Sequence, residues 1–195
     1  NGQYTSGYPA VLSISHLFFS DQNAAYHGEL IINAVLSSLT VFPAFFILRR
    51  FSSDLTAVLG ALTVSVAPVI LSSSFLIMSE NLFILLILVA CSGFIHFLSE
   101  SQPSYEDIIT GFLMVSLIAV RHTGIAILCG FLISLIYYAF SNRQDLKLAV
   151  KKILYVISPL IVIGLVLAIH PLLSDKIVRI IQVFLVQTPG QLPDI

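Results

Sequence analysis

From Leu30 to Leu48 the chain carries no charged side chain, and Arg49-Arg50 stops the run. A stretch of about 20 predominantly apolar residues is what an α-helix needs to cross the hydrocarbon core of a bilayer, with its backbone N–H and C=O groups satisfied inside the segment. Similar runs recur to the end of the chain. The expected fold class is therefore all-α: a polytopic transmembrane helix bundle of about six spanning helices plus interfacial amphipathic helices. Composition agrees, because 57% of residues are hydrophobic and only 10% charged, whereas soluble domains carry about 25% charged residues.

The spans are expected at 27–48, 55–72, 80–98, 107–120, 123–140 and 152–173. An interfacial helix is expected at 8–20, where Tyr4, Tyr8, His16 and Tyr26 suit the headgroup zone. An amphipathic surface helix is expected at 175–187, with Ile177, Ile180, Ile181, Phe184 and Leu185 on one face. Together they read as one transmembrane domain, 1–195. The chain opens on Asn1 in a polar stretch without an initiator Met, so it reads as a piece of a longer protein.

Local punctuation refines this. Asp21 is placed to cap a helix that begins near Ala24. Pro43 lies within an apolar run, where neighbouring helices can satisfy the freed carbonyl. Ala57, Ala61 and Ser65 recur every fourth residue, a spacing that lets two helix backbones approach closely in lipid. Ser141 to Lys152 reads as a polar loop, and Cys91 and Cys129 sit in apolar runs as small hydrophobes.

Two polar breaks carry the functional signal. Ser72 to Asn81 interrupts the apolar pattern and ends at Glu80, and Val120-Arg121-His122-Thr123-Gly124 forms the turn of a short hairpin. Alternation through the spans brings both breaks to one membrane face. The opposite face holds Arg49, Arg50, Arg143, Lys147, Lys151 and Lys152, against Arg121, Lys176 and Arg179 on the first. By the positive-inside rule, both breaks and both chain ends are extracytoplasmic. Ionisable groups at membrane depth cost at least about 2.5–3.5 kcal/mol each on insertion scales, so they pair or line cavities. Glu80, Arg121 and His122 would form such a cluster. Asp21, His27 and Glu29 are weaker candidates on the same face, and His16, His96 and His170 are read as interfacial or satisfied histidines.

Ordinary structural roles compete with these. Ser79-Glu80 is also what a helix cap followed by a first-turn acid looks like, and Arg121 could snorkel to the headgroups. A net charge of −1 leaves no basic surface for nucleic acid. P-loop, GxSxG and HExxH motifs and clusters with metal-ligand spacing are all missing from the sequence. A secondary transporter or a non-catalytic membrane assembly subunit is the alternative class. A transporter predicts repeated halves and midplane charges, and neither is visible here.

Tyr8-Pro9 after a polar loop, Met78-Ser79-Glu80-Asn81-Leu82-Phe83 opening a span, and Val120-Arg121-His122-Thr123-Gly124 in that order resemble the GT-C superfamily of integral-membrane glycosyltransferases. The likeness is nearest to the dolichyl-phosphate-mannose protein mannosyltransferase and aminoarabinose transferase group. It implies transfer of a sugar from a polyprenyl-phosphate carrier to an extracytoplasmic acceptor by inverting displacement. It also implies a first span and a catalytic acid upstream of Asn1. The residues implied in substrate binding are Glu80, Arg121, His122 and Tyr8: Arg121 and His122 would meet the phosphate, Glu80 would bind a sugar hydroxyl, orient Arg121 or help position a metal, and Asp21, His27 and Glu29 are weaker candidates for the acceptor side. The lipid bilayer and a polyprenyl-phosphate-linked sugar donor are the implied partners. No cofactor is fixed by these residues, and a divalent cation has a place only if upstream carboxylates supply ligands.

Overall fold

The structure, a computed structural model, describes residues 7–100, 102–141 and 146–169. The expected helix at 175–187 and residues Tyr4, Arg143, His170, Lys176 and Arg179 lie outside them. Every element among the described residues is a helix: α1 (Gly7–Leu12), α2 (Ser15–Phe18), α3 (Gln22–Leu39), α4 (Val41–Arg49), α5 (Asp54–Ser65), α6 (Pro68–Ser74), α7 (Glu80–Ser99), α8 (Tyr105–Val120), α9 (Gly124–Ser141) and α10 (Leu146–Ile169).

Caps and prolines set the boundaries. Asp21 Oδ2 accepts from the Ala24 N–H at 3.0 Å and starts α3, five residues before the expected position 27. Pro43 has no N–H to return to the Leu39 carbonyl, and the helix is interrupted at Thr40, whose Oγ1 donates to the Ser37 carbonyl at 2.6 Å. The expected helix at 55–72 is divided into α5 and α6. Pro68 disfavours helical geometry at the residue before it, and it starts α6 after the interruption at Val66-Ala67. The expected interfacial helix at 8–20 is likewise two short helices, separated at Ser13-Ile14.

Four helices among the described residues are long and apolar enough to cross a membrane: Gln22–Arg49, Glu80–Ser99, Gly124–Ser141 and Lys147–Val166. Helices α8, of 16 residues, and α5, of 12 residues, are shorter. Large apolar side chains such as Ile31, Phe112, Ile133 and Val162 stand exposed on these helices, the arrangement expected where lipid is the solvent.

The core is formed by α7, α8, α9 and α10. Phe94 lies edge-on to Phe131 with ring centroids 5.2 Å apart and stacks on Phe97 at 5.6 Å. Met114, Leu117, Leu135 and Val156 are buried around them. Helices α8 and α10 touch closely because Gly111 has no Cβ, and one there would overlap the Val156 carbonyl oxygen. Ala57 and Ala61 are buried on α5, which packs on α4 in the close approach their spacing predicts.

Lys152 differs most from its sequence reading. It is not in a loop: α10 has begun by Leu146, and Lys152 is wholly buried beneath the end of α7. Its ammonium donates to the Phe97 carbonyl and, at 2.7 Å, to the Glu100 carbonyl, 4.3 Å from the centroid of the Phe97 ring. A cation there satisfies carbonyls that the helix end leaves without partners. Near the same end of the bundle, Asp107 accepts from the Ser104 N–H at 3.0 Å and caps the start of α8.

Candidate functional site

At the opposite end, the last turn of α8 and the first turn of α7 meet. The Arg121 N–H closes α8 by donating to the Leu117 carbonyl at 3.0 Å, and the chain then becomes extended, with φ −149° and ψ 143°. The Arg121 carbonyl accepts from the Gly124 N–H at 2.9 Å, which opens α9. Gly124 is needed for this reversal, because a Cβ there would stand 2.5 Å from the Leu117 backbone carbon and oxygen. The turn projects the Arg121 side chain towards α7, where it meets Glu80.

Glu80 is the first residue of α7, where the helix dipole favours a carboxylate. Arg121 Nη1 donates to Glu80 Oε1 at 2.6 Å. The two side chains are 35% and 33% exposed, and the guanidinium lies 5.8 Å from the centroid of the Phe83 ring. A pair this exposed contributes only roughly 0.2–1 kcal/mol of stability. Its larger effect is to fix where the guanidinium stands.

Both residues line a cavity of about 860 Å³, which falls within the range of small-molecule sites. Tyr8, His122 and Glu29 share its wall. His122 Nδ1 is buried and has no hydrogen-bond partner among the described residues.

Tyr8 lines the cavity with its ring while its hydroxyl donates to Asn33 Oδ1 at 3.1 Å. Asn33 is wholly buried within α3, and its Nδ2 donates to the Leu76 carbonyl in the segment leading to Glu80. This chain of contacts fastens α1, α3 and that segment together. Burial pushes the Tyr8 hydroxyl up to about 12, against the lowering effect of the Asn33 bond, and the nearby negative charges of Glu29 and Glu80 push it further the same way.

The structure thus brings all four sequence-derived site residues, Tyr8, Glu80, Arg121 and His122, to one cavity. The weaker candidates separate. Asp21 is an N-cap, and His27 meets the Tyr26 ring edge-on at 6.1 Å. Glu29 is in the cavity wall, with Oε1 3.3 Å from His16 Nε2. Sequence reading had assigned His16 to the interface alone, since the turn that folds α2 back on α3 has no signal beyond Asp21. His96, at the other end of the bundle, stands between Glu106, at 3.2 Å, and Glu100, at 3.7 Å.

The residues described do not by themselves fit a metal centre. Glu80 is engaged by a cation, and no group of three or more His, Cys, Asp or Glu among the described residues is placed to hold a metal ion.

One family model matches, described as oligosaccharyl transferase STT3, N-terminal, and the match spans residues 3–192. It supports the GT-C superfamily but not the narrower likeness to mannosyl- and aminoarabinose transferases. No curated protein and no solved structure matches the chain.

Proposed function

We propose a donor-side function for this cavity from one premise: the chain belongs to the oligosaccharyl transferase STT3 N-terminal family, and so is a domain of an integral-membrane glycosyltransferase. The cavity holds the phosphate end of a polyprenyl-linked sugar donor, with Arg121 as its principal cation and His122 as a second hydrogen-bonding group. The observation that supports this most is the position of the Arg121 guanidinium, held at the cavity wall by Glu80 and by a closed turn.

The chemistry follows from the leaving group. When an acceptor attacks the anomeric carbon, the bond from that carbon to the phosphate oxygen breaks and its electron pair passes to the phosphate. Donors already aimed at that oxygen stabilise the charge as it develops. Arginine is suited because its planar fork binds phosphate oxygens in pairs. Glu80 sets the angle of that fork, and Tyr8, with Asn33 behind it, supports the wall from α1.

The same reading counts α5 with α6, and α8, as crossings beside the four longer helices, which gives six. It places the cavity face, with the ends of the domain, outside the cytoplasm, following the distribution of Lys and Arg.

The test is sugar transfer by the full-length protein in liposomes, using polyprenyl-phosphate- and polyprenyl-pyrophosphate-linked sugars. Arg121→Ala and Glu80→Gln are compared with wild type at matched folding. Loss of transfer in the folded Arg121 variant supports the donor site, and unchanged turnover in both variants returns these residues to snorkelling and capping. A wild-type protein inert towards every donor would favour the transporter alternative.

A further inference from the structure

The cavity has a second pole that donor binding does not use. His16 Nε2 stands 3.3 Å from Glu29 Oε1, and both side chains line the same cavity as Arg121. The Glu29 side chain is 18% exposed and that of His16 58%, so the carboxylate is set back and the imidazole stands towards the open side. Packing holds this pair in place. A Cβ on Gly28 would meet the Phe19 ring at 3.0 Å and the Ser15 Cβ at 3.1 Å, so α2 lies close against the first turns of α3. Ser15 is buried there, its hydroxyl donating to the Leu12 carbonyl at 2.9 Å.

The two poles have opposite hydrogen-bonding character. The guanidinium of Arg121 has donors only, and an ionised Glu29 has acceptors only. A carboxylate oxygen facing Nε2 favours the ring form with the proton on that nitrogen, which in the neutral imidazole leaves Nδ1 as an acceptor. With the imidazole neutral, the His16–Glu29 pole therefore complements a group with an O–H or N–H to donate. Tyr8 lines the same cavity as both poles.

We infer that His16 and Glu29 form the acceptor subsite of this cavity: they bind the O–H or N–H group that receives the sugar while Arg121 holds the donor. This rests on the donor reading of the Arg121 pole. It assigns two binding residues, from α2 and α3, on the side of the cavity that the first helices of the domain build.

Two measurements test it on the full-length protein. In liposomes carrying a polyprenyl-linked sugar, with N-acetylasparaginamide and N-acetylserinamide as acceptors, Glu29→Gln and His16→Ala raise the acceptor KM by about tenfold or more, the effect of losing a charge-assisted hydrogen bond. Each leaves the donor KM unchanged. An unchanged acceptor KM, or a donor KM that rises in parallel, overturns the inference. In nanodiscs without donor, the His16 imidazole resonances shift saturably with one of the two amides in wild type and not in Glu29→Gln. Absence of any saturable shift in wild type overturns the inference whether or not transfer occurs. A saturable shift in a protein that transfers no sugar from any donor sinks the donor reading and leaves the polar subsite standing.

Discussion

Arg121 and Glu80, 41 residues apart in the chain, meet through a 2.6 Å hydrogen bond between Nη1 and Oε1 at the wall of the cavity. A pair one-third exposed stabilises a fold by only about 1 kcal/mol or less, so removing either partner is a test of function more than of stability. Arg121→Ala is expected to lower transfer by roughly 10²–10³-fold, the size of effect seen when one donor to a developing negative charge is removed. Arg121→Lys keeps the charge without the planar fork and recovers only part of the loss. Steady-state transfer in liposomes, with folding checked by gel filtration, measures both.

The raised Tyr8 hydroxyl gives a spectroscopic prediction. Its folded value is about 12, above the usual 10 of a tyrosine, because burial and the nearby carboxylates disfavour the phenolate. The neutral form is thus favoured by folding. The stability it contributes is fully present below pH 10 and is lost as pH rises through the folded value. Subtracting the tyrosinate absorbance titration of Tyr8→Phe from that of wild type should give a transition well above pH 10. A difference transition at or below pH 10 would contradict the burial of this hydroxyl.

Asn33 is predicted to matter more than Tyr8 for the shape of the cavity. Asn33→Leu leaves the Tyr8 hydroxyl and the Leu76 carbonyl without the partner each now has, at about 1–3 kcal/mol for each group left unsatisfied. Tyr8→Phe removes one donor only and should cost about 0.5–1.5 kcal/mol. Thermal unfolding in detergent is expected to rank them in that order.

Gly111→Ala should loosen the contact between α8 and α10, because the added methyl overlaps the Val156 carbonyl, which is backbone and cannot turn aside. The expected cost is about 1–3 kcal/mol, as for an overpacked core. Gly130→Ala is the control, since a Cβ there meets nothing within 4 Å. Its helix propensity should make it neutral or slightly stabilising.

Lys152→Ala is expected to destabilise by about 2–4 kcal/mol, since it takes a charged donor from the Phe97 and Glu100 carbonyls and leaves a void beneath the Phe97 ring. Lys152→Met fills the void and recovers only the packing share of that loss. Equal stability of wild type and Lys152→Ala would mean that the end of α7 does not depend on this side chain.

Much of this molecule was legible before its structure, for physical reasons that differ by residue. The helices were visible because lipid forces long uncharged runs, and the meeting of Glu80 with Arg121 followed from alternation alone, since both sit at breaks on the same side. Prolines announced interruptions less clearly. Pro43 reads as a tolerable kink, and the run from Gln22 to Arg49 stays one crossing helix with its interruption at Thr40, whereas Pro68 divides what reads as one span. Lys152 was misread because a lysine beside Lys151 looks like a solvated loop. Only the reach of the Lys152 side chain to the carbonyls at the end of α7 shows that one of the two turns inward. The His16–Glu29 pair was hidden for a similar reason: it depends on the fold-back at Phe19 to Asp21, which carries no periodic pattern.

The central claim is that Arg121 is the anion-binding group of this cavity, and binding of the donor tests it most directly. In the full-length protein reconstituted in nanodiscs, isothermal titration with a polyprenyl-linked sugar phosphate or pyrophosphate should give a saturable isotherm for wild type. The account predicts an affinity at least about tenfold weaker for Arg121→Ala, the loss of one charge-assisted hydrogen bond, with no change for the distant surface variant Arg49→Ala. Equal donor affinity in wild type and a folded Arg121→Ala protein would contradict it.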